Sequence, residues 1–102
     1  MENKNNPNQI DIELPAEIAK GLYSNLLIVS HSPNEFVMDF ANYMPGMPKA
    51  IVISRIIVTP QNAKHLLRTL EMNIRTFEKT HGQIKDEDSN IPLYFGTPSA
   101  QA

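Results

Sequence analysis

The chain has 102 residues, a formal net charge of −2 at neutral pH and no cysteine. This length suits one domain, and the missing cysteines exclude disulfides, thiolate zinc sites and thiol nucleophiles. The slightly acidic balance provides no general attraction to nucleic acid, and no apolar run is long enough to span a membrane. The sequence therefore predicts a cytoplasmic protein without a membrane partner.

The two ends of the sequence predict tails around a single domain. Residues 1–8 are polar and predict a disordered N-terminal tail, and the acidic, proline-containing residues 83–102 predict a flexible C-terminal one. The folded domain is therefore expected to span residues 9–82. It begins with QIDIEL at residues 9–14, whose strict alternation predicts a half-buried first strand. After Pro15 the pattern fits either a helical turn or a loop.

Two apolar segments in the middle of the chain predict a β-hairpin. Residues 22–30 begin with alternation and become apolar on both faces, and residues 35–40 alternate again. Residues 31–34, His-Ser-Pro-Asn, favour a turn because proline has a preset φ and Ser and Asn suit its flanks.

The same turn gathers polar side chains that invite a catalytic interpretation. His31, Ser32, Glu35 and Asp39 fall within nine positions. No third orienting group can be assigned, and no nucleophile motif surrounds the serine. The sequence therefore favours a solvated turn and predicts that the protein is not an enzyme.

The second half of the domain predicts one strand and one long helix. Residues 50–58, AIVISRIIV, are apolar on both faces of a strand. Thr59 and Pro60 suit the N-cap and the first position of a helix, and Gly82 suits its end. The apolar positions of this helix make a single stripe formed by Ala63, Leu66, Leu67, Leu70, Ile74 and Phe77.

These elements predict an α+β domain in two layers. An antiparallel sheet of about four strands would pack on the long C-terminal helix. One helix covers one sheet face, yet the strands at 22–30 and 50–58 are apolar on both faces. A second copy of the chain is therefore expected to cover the other face, giving a homodimer through the sheet.

Two surfaces are candidates for partner binding. The loop between the predicted strands at residues 35–40 and 50–58 carries Tyr43, Met44 and Met47 and is more apolar than solvent requires. It either folds over the sheet edge or docks into a neighbouring subunit or a peptide. The polar side of the helix carries a basic stripe of Lys64, Arg68, Arg75 and Lys79, which is either a phosphate-binding face or an ordinary solvated one. The three histidines lack metal-ligand spacing, so no metal or cofactor is predicted.

Residues 21–82 resemble a small bacterial and archaeal family catalogued as domain of unknown function 3467. The resemblance is carried by Tyr23-Ser24-Asn25, Ser32-Pro33-Asn34-Glu35-Phe36, Met38-Asp39-Phe40, Pro45-Gly46, Ser54-Arg55-Ile56, Thr59-Pro60, Ala63-Lys64, Leu66-Leu67, Leu70, Asn73-Ile74 and Phe77-Glu78. It implies a bacterial or archaeal source and no known activity, so no catalytic residue is carried over.

The sequence thus leads to two functional hypotheses. The first is a non-enzymatic, homo-oligomeric binding or adaptor module. Its element order is similar to the SecB type of export chaperone, which suggests peptide or client binding by analogy. The alternative is a nucleic-acid-associated regulatory protein that uses the basic face of the helix, although the overall acidic balance counts against it.

Overall fold

The computed structural model describes residues 9–85, which form one antiparallel sheet and one long helix. The elements are α1 (Ala16–Ala19), β1 (Leu26–His31), β2 (Phe36–Asn42), β3 (Ile51–Val58) and α2 (Pro60–His81). The strand order is β1-β2-β3, and both pairs are antiparallel. The predicted α+β class is therefore confirmed. Residues 1–8 and 86–102, where most of the predicted tails fall, lie outside the described residues.

The predicted hairpin joins β1 and β2. Its register runs from Leu26 opposite Ala41 to His31 opposite Phe36. The turn closes where the Ser32 N–H donates to the Glu35 carbonyl at 2.9 Å. The Ser32 hydroxyl also accepts from the Asn34 N–H at 3.3 Å. The predicted hairpin is thus confirmed, and local turn chemistry fixes its register.

The register gives the sheet two distinct faces, because directly opposed residues of an antiparallel pair point to the same side. Met38 lies opposite Val29 on β1 and Ile56 on β3. We call the side with these residues the helix-side face; it consists of Leu27, Val29, Phe36, Met38, Phe40, Ile56 and Val58. The opposite side, here called the ion-pair face, includes Ile28, Asp39, Ala41, Arg55 and Ile57.

Helix α2 begins and ends where the sequence predicted. The Thr59 hydroxyl accepts a hydrogen bond from the Asn62 N–H at 3.1 Å, and Pro60 occupies the first turn. Gly82 ends the helix with φ 94°, a conformation that L side chains rarely adopt. Capping at both ends explains why this boundary could be read from the sequence alone.

The predicted fourth strand at residues 9–14 is absent from the described sheet. The segment has no strand pairing, and Ile10 and Ile12 are 80% and 89% exposed. Alternation shows that a segment can bury one face, but it does not supply a sheet edge within the same chain. The sheet among residues 9–85 therefore has three strands.

The predicted two-layer packing is also wrong for most of α2. Asn62, Leu66 and Thr69 border a cavity with sheet residues, yet no residue of α2 is buried. The sheet borders only the first turns of α2, and no residue after Thr69 lines either of the two cavities described below. Within those turns, Leu67 and Leu70 of the stripe are one position from the sheet-side residues Leu66 and Thr69, which is about 100° around the helix. The stripe therefore stays exposed along most of its length.

Candidate functional site

The helix-side face carries two adjoining cavities that together make an apolar groove. The first, of about 440 Å³, lies between the α1 segment and the sheet. Ile18 and Leu22 line one side, and Phe40 and Ile56 line the other. A short turn before the sheet thus holds apolar side chains above the middle of β2 and β3.

The second cavity, of about 400 Å³, lies between the sheet and the first turns of α2. Met38 and Val58 form its floor, and Leu66 and His65 form its helical side. Phe40 and Ile56 border both cavities, so the two adjoin along the face. The groove offers an apolar floor with a few hydroxyl and amide groups at its rim, which is the composition of a peptide- or ligand-binding cleft.

The predicted partner-binding loop follows β2 and is held by several hydrogen bonds. Residues 44–47 form a turn in which the Met47 N–H donates to the Met44 carbonyl at 3.0 Å and Gly46 has φ 88°. Proline before a positive-φ glycine is the pattern of a type II turn. The turn leaves Met44 55% exposed and Met47 half-buried.

Asn25 fixes this loop to the start of β1. Its side-chain oxygen accepts from the Tyr43 N–H at 2.9 Å, and its amide donates to the Tyr43 carbonyl at 2.8 Å. Ser24 adds a hydroxyl bond of 2.7 Å to the Ala41 carbonyl. The loop therefore lies at the α1 end of the sheet, the end at which Ser24 also borders the groove.

The sequence interpretation missed an ion pair in the sheet, between Asp39 and Arg55, that is made by two hydrogen bonds. Arg55 Nε donates to Asp39 Oδ1 at 2.6 Å, and Arg55 Nη2 donates to Asp39 Oδ2 at 3.0 Å. Asp39 is fully buried, whereas the Arg55 side chain is 48% exposed. The hydrogen bonds to Asp39, together with its charge, raise the pKa of Arg55.

This ion pair stands on the ion-pair face, directly across β2 and β3. Asp39 and Arg55 were visible in the sequence as charged interruptions of apolar strands, and opposite charges often pair across neighbouring strands. The register that brings them together could not be predicted, because it depends on the conformation of residues 43–50 between the strands.

The four polar residues near the hairpin turn are divided between the turn and the ion-pair face. The His31 ring stacks on Phe36, with centroids 5.3 Å apart, on the helix-side face. Asp39 points to the opposite face, where Arg55 binds both of its carboxylate oxygens. Ser32 and Glu35 meet through backbone atoms within the turn. The structure thus separates Asp39 from the other three residues.

The predicted basic stripe lies on an exposed side of α2. Lys64, Arg68, Arg75 and Lys79 are all exposed. Arg75 donates to Glu71 at 3.1 Å, so one of the four charges is partly neutralised within the helix. Among residues 9–85, no cluster of three histidine or carboxylate side chains is arranged to hold a metal ion. No helix in that range is both long and apolar enough to cross a bilayer.

A family model described as "Protein of unknown function (DUF3467)" matches residues 1–86. The chain belongs to this family. The match includes the whole sheet, the loop, the groove and α2, so every candidate surface described above lies within the family region. No curated protein and no solved structure matches the chain. The surfaces of this DUF3467 member are therefore the basis for inferring its function.

Proposed function

We propose that the protein is a non-enzymatic, homo-oligomeric module that binds an extended apolar segment of a partner protein. The observation that carries the proposal is the groove made by the two adjoining cavities on the helix-side face, both bordered by Phe40 and Ile56. A cleft of this kind, between a sheet and flanking helical segments, accepts side chains without requiring reactive groups. The fixed Met44–Met47 turn supplies a second contact surface at one end.

Self-association is the other half of the proposal. Ile28, Met38 and Ala41 are the buried hydrophobic residues of the described chain, whereas large exposed hydrophobics occur in α1, β1, β3 and α2. So small a core is marginal for a single copy. Sharing apolar surface with a second copy offsets the deficit, including the sheet contact that the sequence led us to expect.

The groove is tested with a fluorescently labelled, reduced and carboxymethylated protein that stays unfolded, monitored by anisotropy. We expect saturable binding by the native chain. Leu22→Asp places a charge at the groove, on a side chain that is already 72% exposed, and should weaken binding at least tenfold. Ile84→Asp makes the same change outside the groove, at 47% exposure, and should bind normally. Equal affinities for the two variants would overturn the groove assignment.

The loop is tested with the same probe. We expect Met44→Gln combined with Met47→Gln to weaken binding severalfold, because flexible thioethers adapt to apolar partners. Met72→Gln is the matched control, since Met72 is 67% exposed on α2. Replacing Tyr43, Met44 and Met47 together with aspartate should abolish the loop contact while the Asn25 bonds to the backbone persist. Unchanged binding would remove the loop from the proposed site.

A nucleic-acid-associated role on the basic stripe is the second candidate, supported by the exposure of all four basic residues. Arg68→Glu with Arg75→Glu should then abolish binding of a mixed-sequence DNA or RNA probe, and the native affinity should fall steeply with salt. No binding at low salt would overturn this alternative.

A further inference from the structure

The apolar residues on the exposed side of α2 follow a regular spacing, and they do not line the groove. Starting at Ala63, these positions advance by alternating steps of four and three residues. This alternation is the heptad pattern by which two helices pack side by side. The seam defined by it consists of Ala63, Leu67, Leu70, Ile74, Phe77 and His81.

The seam is separate from the part of α2 that meets the sheet. The sheet-side residues are Asn62, His65, Leu66 and Thr69, and none of them belongs to the seam. Along the seam, Leu67 is 64% exposed, Leu70 51% and Phe77 48%. Phe77 and His81 stack on each other, with ring centroids 4.8 Å apart, and thus continue the seam to the last turn. This surface is apolar, ordered and uncovered in a single copy.

We propose that the seam of α2 packs antiparallel against the same seam of a second copy. The pairing places Leu70 against Ile74 of the other copy, and Leu67 against its Phe77. The small Ala63 then meets the larger His81 at each end of the contact. Each contact occurs twice under two-fold symmetry, because the same patch is used by both partners.

The charges beside the seam favour this occupant and this orientation. Lys64 and Glu78 flank opposite ends of the seam, in equivalent positions of the repeat. Antiparallel packing brings each Lys64 near Glu78 of the other copy, which gives two favourable pairs. Parallel packing would instead set Lys64 beside Thr59 and Glu78 beside Asn73 of the other copy, without charge complementarity. Glu71 comes close to its own copy near the centre, but Arg75 neutralises it within each helix at 3.1 Å.

This inference rests on the self-association that the proposed function includes, and it names the surface. Molar mass is measured by size-exclusion chromatography with light scattering over a dilution series. We expect a native dimer and at least a hundredfold weaker association in Leu70→Gln. Met72→Gln, an exposed apolar position of α2 outside the seam, should dimerise like the native chain.

Cross-linking tests the orientation, because the chain has no cysteine of its own. A Lys64→Cys chain mixed with a Glu78→Cys chain should form a mixed disulfide under mild oxidation. Ala63→Cys alone should not link to itself, since antiparallel packing leaves the two cysteines about 27 Å apart. Efficient Ala63→Cys self-linking would show parallel packing and overturn the orientation.

The outcomes separate this inference from the proposed function. A native chain that stays monomeric at all concentrations would overturn both the seam and the homo-oligomer. A native dimer that Leu70→Gln leaves intact would overturn the seam alone and return the interface to the sheet. Loss of the dimer in Leu70→Gln with retained binding of the unfolded probe would support the seam and keep the groove.

Discussion

Within the described residues, β1 and β2 contain all of the buried side chains, Ile28, Met38, Asp39 and Ala41, whereas α2 contains none. The sheet is held by two antiparallel ladders and by the Asp39–Arg55 pair that crosses one of them. Helix α2 has its caps and its own backbone bonds, but its apolar seam faces outward. The two regions therefore depend on different sources of stability.

The comparison shows that an element of this chain can have regular secondary structure without contributing a buried residue to the core. Most helical stability in proteins comes from packing of the apolar face rather than from propensity. In a single copy, α2 lacks most of that packing, so its stability should depend on protein concentration. The sheet carries its contacts within one chain, so its stability should depend on its own side chains.

The largest expected effect concerns the ion pair of the sheet. Asp39→Ala should lower the free energy of unfolding by about 1–3 kcal/mol, because it removes charge-assisted bonds but leaves a half-exposed arginine that water can reach. Arg55→Met should destabilise more, since it leaves a fully buried carboxylate without its partner. Urea unfolding followed by circular dichroism measures both changes.

Replacing the pair as a unit is the control for this prediction. Asp39→Leu with Arg55→Met should recover most of the lost stability, because an apolar pair of similar size needs no compensating charge. The deficits of the single variants should be the same at low and high protein concentration. A deficit that disappears on concentration would contradict the view that the sheet is stabilised within one chain.

A smaller effect is expected at the start of α2. Thr59→Ala removes the hydroxyl that accepts from the Asn62 N–H and should cost about 1 kcal/mol. Thr59→Ser keeps an accepting hydroxyl and should cost much less. Thermal unfolding of the three chains at one concentration measures the difference. If serine behaves like alanine, the cap does not determine where the helix begins.

The smallest effect is expected on the exposed side of α2. Glu71→Gln removes the acceptor's charge from the 3.1 Å contact with Arg75, but both side chains are largely exposed, so the cost should be a few tenths of a kcal/mol. The comparison is best made by thermal unfolding in the Leu70→Gln background, where the second copy cannot contribute. High salt should remove the difference in stability between chains with and without the Glu71→Gln change. A larger or salt-independent loss would show an additional contact.

The parts of the fold that could be predicted are those fixed by short-range chemistry. The hairpin turn, the Thr59 cap and the Gly82 stop each act over a few residues, and each was found where the sequence placed it. The apolar strand at 50–58 was likewise found, as β3 from Ile51 to Val58.

The parts that failed depend on geometry beyond the local chain. Alternation at residues 9–14 says nothing about whether a sheet edge is available, so the predicted fourth strand was wrong for the described sheet. The apolar stripe of α2 predicted a buried face, but it could not show that the sheet reaches only the first turns of the helix. The groove and the Asp39–Arg55 pair required the register across residues 43–50, where no local rule sets the offset.

The strand order β1-β2-β3 repeats the order of the strands along the chain. Each strand therefore pairs with its immediate neighbour in sequence, and contacts between near neighbours close quickly because little loop entropy is lost. During synthesis, residues 26–58 also leave the ribosome before α2 does. We expect a newly made chain to hold a formed sheet by the time its helix appears. Association of two copies would then be limited by the encounter of folded chains rather than by folding itself.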